Sequence, residues 1–213
     1  MSVETLISIF TIDKGDLKIL LLKKTNEPYK NYWVLPNDKV KKDESIENNI
    51  TNVVIEKVGL SNLWLEQCYT FGNLDRNSDD RIISISYMGL VDTVSIELKM
   101  EENNIEKEWF KIDELPKLAF DHDKIISKTL NNLKSKIISS NILKILFPSD
   151  FTLPELQNIY EQLLNVKIDR RNFRKKFIGS DLIEETGEYN EGTTGRPAKL
   201  YRFKDNVKEK KLF

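Results

Sequence analysis

Cysteine, histidine and long apolar runs are scarce in this chain of 213 residues, which contains one cysteine, Cys68, and one histidine, His122. A single cysteine excludes an intrachain disulfide and a thiolate metal cluster, and it is typical of proteins of the reducing cytoplasm. No apolar run reaches the roughly 18 residues of a membrane span, since Glu4, Asp13 and Asp16 interrupt the apolar amino-terminal segment. We therefore expect a cytoplasmic protein without a membrane segment or a signal peptide.

Charge is balanced over the whole chain but divided unevenly along it. The formal net charge is −1, from 33 Lys and Arg against 34 Asp and Glu. Residues 137–213 contain 14 basic and 11 acidic side chains, whereas residues 1–136 contain 19 and 23. An acidic front and a basic rear indicate different partners for the two parts.

The front part alternates between short strands and amphipathic helices. Two apolar segments around "DKGD" predict a β-hairpin, "NYWVLP" predicts a third strand, and "LWLEQCYTFG", "RIISISYMGLV" and "KEWFKI" predict three more. Apolar residues recur at helical spacing from Ser45, a candidate N-cap, to Val58, and Gly59 follows as a candidate C-cap. "DHDKIISKTLNNLKSKI" predicts a second helix. These elements predict an α+β domain with a mixed sheet over residues 1–137.

The rear part has a different order of elements. "SSNILKILF" predicts a short helix, and Thr152 is a candidate N-cap for "LPELQNIYEQLL". Asp169 begins a basic helix, "DRRNFRKKFIGSD", and the glycine-bearing loop "TGEYNEGTTGRPA" leads to a strand, "KLYRF". This order predicts a winged helix-turn-helix domain over residues 138–213.

The basic helix has the pattern of a DNA-reading element. Arg171, Arg174 and Lys175 share one helical face, while Phe173 and Phe177 share another that should pack inward. Arginine side chains can read guanine edges or contact phosphates in a major groove. A solvated helix without a partner, or a winged helix that binds protein, are the alternatives. The predicted DNA-binding residues are Arg170, Arg171, Asn172, Arg174, Lys175, Lys176, Thr193, Thr194, Arg196 and Lys199.

The segment from Asp38 to Leu60 resembles the Nudix box of the Nudix hydrolases, G-x5-E-x7-R-E-U-x-E-E-x-G-U, where U is a large aliphatic residue. The stretch "LPNDKVKKDES", residues 35–45, overlaps its start and corresponds to the loop of the box. The matching residues are Glu44, Val54, Glu56, Gly59 and Leu60. The replaced positions hold Asp38 for Gly, Asn52 for Arg, Val53 for Glu and Lys57 for Glu. The resemblance implies a Nudix fold, in which helices cover both faces of a mixed sheet.

The replaced positions are those on which the family's chemistry depends. Cleavage of a pyrophosphate needs Mg²⁺ held by several carboxylates, which the resemblance assigns to the glutamates of the box. Only Glu56 of the three remains, Val53 cannot bind a metal, and Lys57 places a cation there. We therefore expect no catalytic residue, no bound metal and no cofactor. The alternative is a hydrolase that cleaves ADP-ribose or a related nucleoside diphosphate with Mg²⁺.

Front and rear together are similar to the Nudix-related transcriptional regulators, through "FTLPELQNIYEQLL", "DRRNFRKKF" and "GRPAKLYRF". The resemblance implies a homodimeric DNA-binding repressor that binds a roughly palindromic double-stranded operator. It also implies a small-molecule effector, either ADP-ribose in control of NAD metabolism or a pentose such as arabinose in control of sugar utilisation. The sequence does not distinguish these effectors, nor a repressor from an activator.

Polar residues near the box and near strand ends are the candidates for effector binding. Asp38 brings a negative charge that disfavours a pyrophosphate and keeps the sugar alternative open. His122 is a candidate as the single histidine, at the start of a predicted helix. The predicted effector-binding residues are Asp38, Lys39, Glu44, Glu56, Asp75, Arg76, Arg81, Asp121 and His122.

Overall fold

The computed structural model describes residues 1–60, 63–76, 81–92, 105–147, 150–190 and 197–204. The chain divides into two compact units, one of Met1–Thr11 with Lys18–Asn132 and the other of Ile12–Leu17 with Leu133–Phe213. Among the described residues, no helix combines the length and the apolar character that crossing a membrane requires.

The first unit is built on a seven-stranded mixed sheet. Its strands are β1 (Ser2–Asp13), β2 (Asp16–Lys23), β3 (Trp33–Val34), β4 (Asn37–Lys39), β5 (Trp64–Phe71), β6 (Ile82–Leu90) and β7 (Lys107–Lys111). The order is β3-β2-β1-β6-β5, with β4 paired to β1 and β7 paired to β2. β1 runs parallel to β6, whereas β1–β4, β2–β3, β2–β7 and β5–β6 are antiparallel. The predicted mixed sheet is confirmed.

A helix packs on this sheet through the apolar stripe that the sequence predicts. α1 (Ile46–Asn52) continues into a π-helical segment, Val53–Val58. Ser45 caps its start, because its hydroxyl accepts a bond of 3.1 Å from the Asn48 N–H. Gly59 ends it with a φ of 86°, a left-handed conformation that costs glycine little. The buried residues of the stripe are Ile50, Val53, Val54 and Val58, and they pack in a core cluster with Ile7, Ile9 and Leu20 of the sheet.

The region before α1 differs from the prediction in one respect. The loop expected around Asp38 is instead the strand β4, which pairs with β1 so that Asp38 lies opposite Thr5. The prediction that Asp38 lies in a loop is therefore wrong, because Asn37–Lys39 pair with β1 as an extended strand. The predicted third strand is present but short, over Trp33–Val34.

The second unit has the elements of a winged helix, as predicted. Helix α2 (His122–Ser139) belongs to the second unit from Leu133 onwards and leads into a 3₁₀ turn over Ile142–Ile145. The elements that follow are β8 (Phe151–Thr152), α3 (Leu153–Leu164), α4 (Arg170–Gly179), β9 (Ile183–Tyr189) and β10 (Lys199–Phe203). The strands form an antiparallel sheet in the order β8-β10-β9. Thr152 and Glu155 form a capping box at the start of α3. The predicted loop is partly strand, because β9 continues to Tyr189.

The turn between β1 and β2 belongs to this second unit. The side-chain amides of Asn158 and Gln162, both on α3, each donate to the Gly15 carbonyl at 2.7 Å. The Leu17 N–H donates in return to the Gln162 side-chain oxygen at 3.0 Å. Residues that are about 145 positions apart in sequence are therefore joined within one unit.

Candidate effector pocket and DNA-binding helix

A cavity of about 520 Å³ lies in the first unit, a volume within the roughly 300–1,000 Å³ that is typical of small-molecule sites. Its walls come from β1, β4, the segment after β2, the π-helical segment and the start of α2. The cations of its lining are Lys24, Lys39, Lys57 and Arg76, and the acids are Glu4, Glu27 and Asp38. A cavity with this lining suits a polar, charged ligand.

Two residues that replace members of the Nudix box meet on this wall. The Lys57 ammonium lies 3.2 Å from the Asp38 carboxylate and donates to the Asn37 carbonyl at 2.6 Å. The Lys57 side chain is 30% exposed, so the ammonium is in reach of the cavity. The negative charge of Asp38 is thus compensated by a cation from the helix behind it.

His122 forms another part of the wall, and its tautomer is fixed. Its Nδ1 accepts a hydrogen bond of 2.9 Å from the Leu35 N–H, so the neutral ring carries its proton on Nε2. The residue is 3% exposed, and burial lowers its pKa from 6.5 to about 4. The neighbouring Asp121 opposes this shift, whereas Arg76 adds to it. His122 is therefore neutral at physiological pH and presents an N–H donor.

Arg76 joins three elements around the cavity. Its guanidinium makes a two-point contact with Asp121, at 2.9 Å and 3.2 Å, and also bonds to Glu4 at 3.2 Å and to the Ser84 hydroxyl. Glu4 is on β1, Ser84 is on β6, and Asp121 directly precedes α2. Because Arg76 is 8% exposed and engaged by two carboxylates, it holds the wall together more than it offers charge to a ligand.

Glu44 contacts the middle and the end of α1 and does not line the cavity. Its carboxylate accepts bonds from the side-chain amides of Asn49, at 2.9 Å, and Asn52, at 2.8 Å. The Asn49 bond and further bonds from Lys41 and Asn52 lower the Glu44 pKa against a smaller opposing effect of burial. Asn52 replaces the arginine of the box and yet reaches the glutamate, so this link persists without a second charge.

The structure brings only part of the predicted effector set together. Glu56 and Asp75 are exposed and do not line the cavity, and Arg81 donates to the carbonyls of Gly72 and Asn73. The predicted residues that line the cavity are Asp38, Lys39, Arg76 and His122.

The basic helix α4 shows the two faces that its sequence predicts. Phe173 and Phe177 are buried and pack edge to face against Tyr160, with ring centroids 5.8 Å and 5.1 Å from it. Asp169 caps the helix by accepting from the Asn172 N–H at 2.9 Å. The exposed residues of its other faces include Arg170, Arg171, Asn172, Arg174, Lys175 and Lys176. The cations therefore face solvent on a helix anchored by its aromatic side.

The turn between α3 and α4 is held by one carboxylate. Glu161 accepts bonds from the Lys167 ammonium at 2.8 Å, the Gln157 amide at 2.9 Å and the Ile168 N–H at 3.0 Å. These bonds lower the Glu161 pKa to about 2. Gln157 also donates to the Ile168 carbonyl at 2.8 Å. This network joins α3 to Ile168, the residue before the N-cap of α4.

The predicted wing residues are only partly described. Thr193, Thr194 and Arg196 lie outside the described residues. Lys199, on β10, makes an ion pair of 2.7 Å with Glu185 on β9, and this bond raises the Lys199 pKa. Lys199 thus faces an acid of its own sheet.

Comparison with known proteins agrees with this architecture. The family model of the NUDIX domain matches residues 5–129, and that of the NrtR DNA-binding winged helix domain matches residues 143–203. A protein of Acinetobacter baylyi named as an ADPR responsive transcriptional repressor is 32% identical over 200 residues, which are 92% of this chain and 79% of that protein. The chain belongs to the NrtR family of Nudix-related regulators.

This NrtR family member is also similar to a solved NrtR structure and to an enzyme. Shewanella oneidensis NrtR, crystallised with a 27mer DNA, has a TM-score of 0.77 and 29% identity, covering 95% of this chain and 93% of that one. An ADP-ribose pyrophosphatase of Methanocaldococcus jannaschii is 34% identical over 120 residues, 56% of this chain and 70% of that protein. The sensor half of this NrtR family member is thus also related to a hydrolase.

The side chains at the box positions of this NrtR family member do not fit the Mg²⁺ of Nudix enzymes. Val53 is 1% exposed and packs in the core cluster, and Lys57 carries an ammonium where the box has a carboxylate. Within the described part of the chain, no three Asp, Glu, His or Cys side chains gather into a group that could hold a metal. A divalent cation prefers several carboxylates, so this donor set is unsuitable for it.

Several cavity residues were not predicted from the sequence. Lys24, Glu27 and Phe120 come from connecting segments that show no motif, and Lys57 was noted only as a departure from the box. The position of Lys57 within the motif is the one signal that could have identified it.

Proposed function

We propose that this protein is a transcriptional repressor that binds a roughly palindromic operator as a homodimer and responds to ADP-ribose. The observation that carries the proposal is α4, a helix whose exposed faces bear five cations while Phe173 and Phe177 fix its other side. Such a helix can enter a major groove, and a dimer places two of them about one helical turn or a multiple apart. The protein acts in the cytoplasm, where the bacterial relatives have their DNA.

ADP-ribose is favoured over a pentose by the charges of the cavity. The sequence objection to a pyrophosphate was the charge of Asp38, and Lys57 compensates that charge at 3.2 Å. Lys24 and Lys39 add two further cations to the lining. The Acinetobacter relative is described as responsive to ADPR, which supports the same effector. An uncharged pentose could form hydrogen bonds with these groups but no ion pair.

DNA binding is tested with duplex from the region upstream of the protein's own operon, at several salt concentrations. We expect binding tighter than to random duplex, weakened in Arg171→Ala by about 1–3 kcal/mol if that side chain reads a base. Lys30→Ala, which removes an exposed cation of the first unit, serves as the control and should bind as wild type. Equal affinity for operon and random DNA would refute the proposal.

Effector response is tested on the same complex. ADP-ribose should change the affinity for DNA, and by linkage DNA should change the affinity for ADP-ribose by the same factor. Arabinose, added in parallel, should have no effect. A response to arabinose alone would assign the cavity to a sugar instead.

A Nudix hydrolase is the second candidate, favoured by the identity with the Methanocaldococcus pyrophosphatase. The positions of Val53 and Lys57 argue against it, because hydrolysis needs carboxylates at both. Incubation with ADP-ribose and Mg²⁺ should therefore yield no AMP above background. Turnover that disappears in Glu56→Gln would establish the enzyme and contradict our interpretation of the box.

A further inference from the structure

The strongest unassigned feature is the contact between Lys57 and the segment at 35–38, which lines the cavity. An ammonium has three N–H donors. In Lys57 one bonds to the Asn37 carbonyl and a second pairs with the Asp38 carboxylate. One N–H therefore remains within the described structure, on a side chain that is 30% exposed beside the cavity. Lys57 is thus positioned to donate to a ligand without giving up either contact.

The same segment is fixed from its other end by His122. Leu35 donates its N–H to the ring, and the Leu35 carbonyl accepts a bond of 2.7 Å from the Asn37 side chain. The ring is 3% exposed, and no group among the described residues pairs with its Nε2. Because His122 lines the cavity, a ligand or water there can accept a hydrogen bond from this N–H. The cavity therefore contains a donor whose tautomer is set in advance.

We propose that this cavity binds the pyrophosphate of a nucleoside diphosphate without a divalent cation, with the Lys57 ammonium in the place of the metal and His122 Nε2–H as a second donor. The inference rests on the proposed function, because it takes ADP-ribose as the ligand. A fixed ammonium supplies part of the charge that a metal would supply, and it repels a metal from the same place. Binding by hydrogen bonds and a monovalent cation does not polarise the phosphorus as a metal does, which suits a sensor that must release its ligand unchanged.

The test measures ADP-ribose binding to the full chain by calorimetry, once with excess EDTA and once with Mg²⁺. Wild type should bind with the same affinity in both. Lys57→Gln should weaken binding about 10- to 100-fold in both, the range for one charge-assisted bond. Lys42→Gln removes an exposed lysine that does not line the cavity, and it should bind as wild type.

Two further variants test the His122 donor and the charge at position 57. His122→Asn retains an acceptor for the Leu35 N–H but lacks the Nε2 donor, and it should weaken binding in both buffers. The double variant Asp38→Gly, Lys57→Glu restores the box residues at both positions. It should bind ADP-ribose more tightly in Mg²⁺ than in EDTA. Melting curves of each variant without ligand identify any that is unfolded, and in that case the EDTA comparison on wild type decides.

Loss of wild-type binding in EDTA would overturn the inference, as would unchanged binding in Lys57→Gln. Absence of ADP-ribose binding in both buffers would also overturn the inference. Operator binding is measured separately and would still stand in that case, so failure of the inference and failure of the proposed DNA-binding function are distinguishable.

Discussion

The buried neutral ring of His122 makes the stability of the first unit depend on pH in a range where few other groups titrate. In the unfolded chain its pKa is about 6.5, whereas in the folded protein burial holds it at about 4. Below pH 6.5 the unfolded state takes up a proton that the folded state refuses. Stability from this group is therefore complete above pH 6.5 and is lost as the pH falls towards 4.

The size of the effect follows from the two pKa values. At 1.36 kcal/mol for each unit, lowering the pH from 7 to 5 should cost about 2 kcal/mol, and to 4 about 3 kcal/mol. The charged groups that face the ring are Asp121, Asp123 and Arg76, and they act on its pKa in opposite directions. Burial is the larger influence and sets the sign.

The comparison uses His122→Asn, which keeps an acceptor for the Leu35 N–H and does not titrate. Urea unfolding is followed by tryptophan fluorescence at pH 7, 6 and 5, since Trp33, Trp64 and Trp109 all belong to the first unit. Other carboxylates titrate alike in both proteins and cancel in the difference. The advantage of wild type over the variant should shrink by about 2 kcal/mol between pH 7 and 5. A difference that stays constant with pH would refute the reasoning.

Two more predictions concern the second unit. Glu161→Gln should lower the melting temperature at pH 7 and weaken operator binding. Because the Glu161 pKa is lowered to about 2, the higher melting temperature of wild type should persist down to about pH 4.5 and vanish as the pH falls towards 2. An advantage that is the same at pH 2.5 and at pH 7 would contradict this account. Phe177→Ala should cost about 3–5 kcal/mol of unfolding free energy, since the ring is fully buried. The adjacent Ile178→Ala, at a side chain that is 46% exposed, is the control and should cost far less. Both are measured by urea titration followed by circular dichroism, because the second unit contains no tryptophan.

Local chemistry explains what could be predicted from the sequence. Ser45, Thr152 and Asp169 each precede an amphipathic run, and each caps a helix in the structure. Such caps act over three residues, so their signal is complete within the sequence window. The same holds for Phe173 and Phe177, whose spacing alone places them on one face.

The cavity could not be predicted in the same way, because its contacts join distant positions. Lys57 reaches the segment at 35–38 only because β4 pairs with β1 and α1 packs on the same sheet. The bond between His122 and Leu35 spans 87 residues. Strand β9 was partly missed for another reason, since most of its side chains are exposed and its sequence lacks an alternating apolar pattern.

The turn at Gly15, held by Asn158 and Gln162, means that the winged-helix unit is assembled from two separate stretches of the chain. A polypeptide cut between residues 137 and 138 would carry all of α3 and α4 but would leave the acceptor for two amides behind. A chimera joined at that junction would therefore leave the Asn158 and Gln162 amides to water unless residues 12–17 accompanied the DNA-reading part.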